Sequence, residues 1–190
     1  TGDLQNMQKI VSQATFKFVV QSSKGAYGTA VPLALCAELI EPDEQVLYLA
    51  GDDFIYNNTG ESALSQLISG VRSSGATSGL LAAEISSQDI AKYGVIDLNE
   101  GAFARIVEKP KPENAPSNLI NISKYVFDKD MASHAAAALN QPAANGECQI
   151  TDALNMYVAD GKRVEVIRAQ GEYLDGGSLN GWLHANNVVC

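Results

Sequence analysis

The run Val46-Leu47-Tyr48-Leu49-Ala50 ends in Gly51-Asp52-Asp53-Phe54, and this stretch sets most of what the chain can become. A short apolar run closed by glycine reads as a strand buried on both faces. Gly51 lets the backbone turn, and two carboxylates follow at once. In open α/β sheets, ligands bind just beyond the carboxyl ends of the strands. Asp52 and Asp53 therefore stand where such folds do chemistry. The same residues also suit an Asx turn or a helix N-cap, since Asp is common after strands.

The rest of the chain alternates between the two periods. Residues 3–14 place Leu4, Met7, Ile10 and Val11 at helical spacing behind Asp3 as N-cap. Residues 15–21 have strand propensity, and residues 22–28 form a glycine-containing loop. Thr29 is expected to cap a helix over residues 30–41, with Pro32 in its first turn. Further helices are predicted over residues 60–74, 128–139, 151–159 and 179–188, and strands over 77–85, 118–127 and 163–168. Residues 93–98 and 102–107 read as a hairpin turning at Asn99-Glu100-Gly101. Prolines keep residues 108–113 extended or looped. Such alternation predicts one α/β domain over residues 1–190, with a mixed, mostly parallel sheet flanked by helices.

Charge narrows the function. Thirteen Lys and Arg against 22 Asp and Glu give a formal charge of −9. That argues against sequence-independent nucleic-acid binding, which needs a basic face. A phosphorylated substrate is still compatible, because one lysine and one metal ion can neutralise a phosphate locally. No apolar run is long enough to span a bilayer, and Thr1-Gly2-Asp3 opens no signal-peptide pattern. Cys36, Cys148 and Cys190 lie far apart without a CxxC, so neither a disulfide framework nor a zinc site is expected and a reducing cytoplasm fits. His134 and His184 are isolated.

Four features could carry chemistry. Asp52-Asp53 is one, and Asp175 in Tyr173-Leu174-Asp175-Gly176-Gly177-Ser178 is another. Magnesium takes one or two carboxylates plus substrate phosphates, and two strand-end aspartates suit it; spacing alone favours two turn aspartates. Glu108-Lys109-Pro110 offers a lysine for a phosphate and a glutamate for sugar hydroxyls, or simply a solvated loop. The loop from Gln21 to Gly28 combines a base-reading amide with Gly25 and Gly28, which permit close backbone approach.

Together and in order, these segments resemble the sugar-1-phosphate nucleotidyltransferase family, most of all its bacterial UTP–glucose-1-phosphate uridylyltransferases. Tyr93-Gly94-Val95-Ile96, Ser117-Asn118-Leu119-Ile120 and Gly146-Glu147-Cys148-Gln149-Ile150-Thr151-Asp152 complete the set. The resemblance implies a Rossmann-like fold and transfer of a uridylyl group from UTP to glucose 1-phosphate, giving UDP-glucose and pyrophosphate. It implies Asp52 and Asp175 as magnesium ligands, Lys109 on the sugar phosphate and Glu108 on the sugar hydroxyls. It also implies backbone approach at Gly94, and Gln21, Gly25 and Gly28 facing the uracil. Lys109, Asp52 and Asp175 would be the catalytic set.

Three departures from the family pattern qualify this. Lys24-Gly25-Ala26 stands where the family has Pro-Leu-Gly, and Leu179 where a lysine often follows the Asp-x-Gly-Ser turn. The family's opening strand and Gly-x-Gly-x-Arg-x-x-Pro loop find no counterpart, so the chain reads as the later part of a family domain. On that reading it is expected to be poorly active alone and to self-associate as a homo-oligomer. The alternative is a non-catalytic module that binds sugar phosphate or nucleotide sugar.

Overall fold

The computed structural model describes residues 2–58, 60–86, 89–143 and 145–190; the side chain of Asp3, expected to cap the first helix, lies outside the described residues. Six strands form one sheet and two more form a small ladder beside it. The main sheet contains β1 (Val46–Leu49), β3 (Ser78–Glu84), β4 (Gly94–Asn99), β5 (Ala102–Glu108), β6 (Leu119–Phe127) and β7 (Val164–Arg168). The small ladder pairs β2 (Asp53–Tyr56) with β8 (Glu172–Asp175).

β3 and β6 are buried on both faces, and β1 is not. Leu80 and Ala82 enter one core, Leu81 and Ala83 the other, and all four are at most 7% exposed. β3 lies between β6, antiparallel, and β7, parallel. Among the described residues β1 pairs with β6 alone, so its residues alternate: Val46 and Tyr48 pack against the core while Leu47 and Leu49 face outward. The apolar run specified a strand, but its position at an edge is a property of its neighbours.

β6 explains why the sheet is mixed. It runs antiparallel to β1, β3 and β4, so those three share a direction with β7. β1 and β4 occupy the same edge of β6 in succession: Leu49 lies opposite Lys124, and Val95 opposite Ile120. Between them, β6 bulges. Leu80 and Ala82 of β3 face Tyr125 and Asn121, so two residues of one strand step against four of the other. Ser123 adopts φ 50° within that bulge. A bulge bends the strand and re-aims its side chains.

Helices cover both faces. α2 (Ala30–Leu35), α4 (Lys129–Ala138) and α5 (Ile150–Ala159) close the larger core, which holds Tyr125, Phe127, Met131, Leu154 and Tyr157. α3 (Ala63–Ser74) buries Leu67 and Val71 against the other face, capped by Ser62, whose side chain accepts from the Ser65 N–H. α6 (Leu179–Val189) follows β8. Thr29 departs from expectation. It makes no side-chain cap on α2, and its Oγ1 instead accepts from the Ile150 N–H, 2.9 Å, at the start of α5.

The first 29 residues differ most from the sequence reading. α1 (Gly2–Val11) forms, but Leu4, Met7, Ile10 and Val11 are all exposed. Residues 15–21 belong to no strand, and Phe18 and Val20 are 90% and 88% exposed. β-propensity is realised only when a partner ladder exists, and none lies beside this segment among the described residues.

Candidate active site

The cleft opens where β1 leaves β6 and β4 begins. It encloses about 340 Å³, lined by residues that include Asp52, Asp53, Gly94, Glu108, Lys109, Thr151, Tyr173 and Asp175. Four elements far apart in sequence converge here because β6 holds β1 and β4 end to end.

The β2–β8 ladder unites the two acidic spots. Asp53 and Asp175 are register partners, and the Asp52 carbonyl accepts from the Gly176 N–H at 2.7 Å. The position that a Cβ on Gly177 would take lies 3.1 Å from Asp175 Oδ1 and 3.3 Å from Asp52 Oδ2. The separation of these two oxygens is bounded by the sum of those distances. Both are therefore within reach of one magnesium, directly or through water, whose oxygen ligands sit at about 2.0–2.1 Å. A hard cation prefers such oxygen donors, so Asp52 and Asp175 fit it. Among the described residues no group of three or more His, Cys, Asp and Glu converges in that way.

The other carboxylates have different partners. Asp53 forms an ion pair with Lys124, and Tyr173 Oη donates to its Oδ2 at 3.4 Å. Burial raises the Asp53 carboxyl above its ordinary pKa, and the hydrogen bond and charge of Lys124 oppose that rise. Tyr93 Oη donates to Asp175 Oδ2 at 3.2 Å, and the Gly177 N–H to Asp175 Oδ1 at 2.8 Å. Tyr93 is pushed up to about 12 by burial and then by the Asp175 charge, so it remains a donor. Tyr93 and Tyr173 meet edge-on, 5.9 Å between centroids, and brace the two aspartates.

On the opposite wall, β5 ends at Glu108, and Lys109 follows it. A Cβ on Gly94 would lie 2.9 Å from Glu108 Oε1 and 2.9 Å from Ile106 Cγ2, so glycine is what lets β4 pass the glutamate. Burial raises the Glu108 carboxyl, and a hydrogen bond with Thr151 partly offsets it. Lys109 is exposed and forms no ion pair among the described residues. Its backbone has φ 44°, and its N–H donates to the Tyr93 carbonyl at 3.0 Å. A left-handed lysine followed by proline is strained, and such strain clusters at functional sites.

The loop from Gln21 to Gly28 stands apart. Gln21 and Gly25 do not line the cleft, and Gln21 Nε2 donates to the Ala26 carbonyl at 3.2 Å. Gly28 has φ 118°, and a Cβ there would strike the Cys148 backbone at 2.4 Å. Gly28 thus fastens the loop to the segment before α5, which brings Thr29 to the cleft rim. Tyr93, Lys124, Thr151 and Tyr173 were absent from the sequence-derived site. Tyr93, Thr151 and Tyr173 belong to the quoted motifs, but no local pattern distinguishes Lys124 from any other strand lysine.

Comparison with known proteins agrees with this architecture. The Nucleotidyl transferase family model matches residues 3–190. The chain is 31% identical over 189 residues to a UTP–glucose-1-phosphate uridylyltransferase of Pseudomonas aeruginosa, covering 97% of this chain and 65% of that protein. It is 33% identical over 159 residues to the UTP–glucose-1-phosphate uridylyltransferase YngB of Bacillus subtilis, covering 81% of this chain and 51% of that protein. A UDP-glucose pyrophosphorylase structure complexed with UDP-glucose superposes with a TM-score of 0.86 at 30% identity, covering 99% of this chain and 70% of that one. The chain thus spans just under two thirds of the Pseudomonas protein and about half of the Bacillus one.

Proposed function

This chain belongs to the nucleotidyl transferase family, and from that premise we propose that its cleft serves uridylyl transfer from UTP to glucose 1-phosphate. The observation that carries the reading is the convergence of Asp52 Oδ2 and Asp175 Oδ1 in the same cleft as Glu108 and Lys109. Five carboxylates and the lysines Lys92 and Lys109 line it, and Lys92 is paired with Asp89. So acidic a cleft takes a polyphosphate only together with a cation. Asp52 and Asp175 would hold magnesium there, and the ion would supply charge neutralisation at the phosphates.

The chain's own groups do the positioning. Lys109 binds the phosphate of glucose 1-phosphate as a point charge. Glu108 accepts hydrogen bonds from sugar hydroxyls, with the Gly94 backbone beside it. An ionised oxygen of the sugar phosphate attacks the α-phosphorus of UTP. The bond to the β-phosphate oxygen breaks, and pyrophosphate leaves with the electron pair. No proton need move, so the chemistry rests on alignment and charge.

Titration calorimetry with glucose 1-phosphate and with UDP-glucose, with and without magnesium, tests the reading, alongside a pyrophosphate-release assay. Binding that is lost in Lys109→Ala supports the site. No binding of either ligand to folded protein overturns it. Binding without pyrophosphate release identifies a sugar-phosphate-binding module instead of a catalyst.

A further inference from the structure

We infer that Lys124 is a positioning residue for the cation-holding carboxylates: its buried ammonium, beneath the turn from Ala50 to Asp53, sets where the Asp52 carboxylate stands. The inference rests on the reading of Asp52 and Asp175 as the cation pair.

A lysine in a strand normally reaches solvent, but Lys124 is 8% exposed. It points to the same face of β6 as Ile122 and Val126, and the turn from Ala50 to Asp53 covers it there. Lys124 Nζ donates to the Ala50 carbonyl at 2.9 Å and forms an ion pair with Asp53, whose side chain is 10% exposed. These anchors lie on either side of Gly51 and Asp52. Nothing comes within 4 Å of a Cβ placed on Gly51, so packing does not fix the turn at that point. Backbone bonds hold its two ends. The Ala50 N–H donates to the Ser123 carbonyl at 3.0 Å, and the Asp52 carbonyl accepts from Gly176. Lys124 ties both flanks of the turn to one charge.

Its second effect is selection. Three carboxylates, Asp52, Asp53 and Asp175, crowd this wall of the cleft. By pairing with Asp53, Lys124 commits that group internally and leaves Asp52 and Asp175 for a cation. A buried ammonium is stable only when its partners satisfy it, so the pair acts as a fixed strut.

Positioning and mere proximity of charge predict different outcomes when the ion pair is removed. The double variant Lys124→Met/Asp53→Asn removes one positive and one negative charge together, so it leaves no buried carboxylate unpaired and no net change of charge. Charge proximity alone then leaves metal affinity near wild type, and loss of a strut loosens it. Mn2+ binding read by electron paramagnetic resonance, with and without UDP-glucose, should weaken about 10–100-fold, the range for groups that orient metal ligands. Circular dichroism should show the folded state. Affinity in the folded double variant that equals or exceeds wild type overturns the inference. Lys124→Arg keeps the charge with a bulkier planar head and provides the second arm. It should weaken Mn2+ binding several-fold, and an unchanged affinity there overturns the inference even if the double variant does not fold. Asp52→Asn binding Mn2+ as wild type does would overturn the cation site itself, and the inference with it.

Discussion

Asp53 and Asp175 stand opposite each other in the β2–β8 ladder, and their carboxylates have different partners: Asp53 is paired with Lys124, and Asp175 is braced by Tyr93 at the cleft. On the proposed reading, that asymmetry leaves Asp175 and Asp52 for the cation. Asp175→Asn and Asp52→Asn should each weaken Mn2+ binding more than about tenfold. Their melting temperatures should stay close to wild type, because neither carboxylate is in an ion pair among the described residues. Electron paramagnetic resonance and thermal denaturation read the two effects separately.

Lys109 separates binding from folding. Lys109→Ala should retain its melting temperature and lose about 1.5–3 kcal/mol of glucose 1-phosphate affinity, typical of hydrogen bonds to charged groups. Lys109→Gly should lose the same affinity and gain about 1 kcal/mol of stability, because glycine relieves the positive φ. Calorimetry beside denaturant titration checks both. A destabilised Lys109→Gly protein would contradict the strain argument.

Glu108 gives a pH dependence with a definite sign. Its folded carboxyl titrates above the unfolded value because of burial. Between the two values the folded state holds more protons, so this group's contribution to stability is present below the unfolded pKa and is lost as pH rises through the folded one. Glu108→Gln should therefore melt higher than wild type at pH 7, with the difference fading once the pH falls below the ordinary carboxylate range. The same variant should bind glucose 1-phosphate more weakly. A pH series of melting curves tests the first half, and equal melting temperatures at pH 7 would refute it.

Ser123 reports on the bulge. A serine at φ 50° carries a left-handed cost that glycine avoids. Ser123→Gly should stabilise the protein by about 0.5–1 kcal/mol, with the Ala50–Ser123 backbone bond preserved. Urea denaturation measures this, and destabilisation would show that the hydroxyl matters more than the backbone.

Exposed apolar surface at the amino-terminal side predicts self-association. The outer edge of β1 carries no strand among the described residues, Leu47 and Leu49 are 38% and 46% exposed, and Phe18 and Val20 project from an unpaired segment. Such an edge invites pairing with another chain. Sedimentation velocity should show oligomers at tens of micromolar, shifted toward monomer in Phe18→Asp/Val20→Asp. A stable monomer of the unsubstituted chain would refute it.

By itself, the sequence determined the alternation of strands and helices, the hairpin at Asn99-Glu100-Gly101, the edges of most elements and the acidic and lysine-bearing turns. Those depend on local periodicity and turn chemistry, which nearby residues carry. Tertiary structure decided the rest. Val46–Leu49 looked doubly buried yet lies at an edge, because burial is set by neighbouring strands. Residues 15–21 had strand propensity without a ladder to join. The short strands β2 and β8 exist only as each other's partners, 120 residues apart at Tyr173 and Asp53. Lys124 comes to lie beside the site because the turn from Ala50 to Asp53 folds over its face of β6, an arrangement that no spacing rule records. A charge's role depends on what surrounds it in space, and that arrangement forms only when distant segments meet.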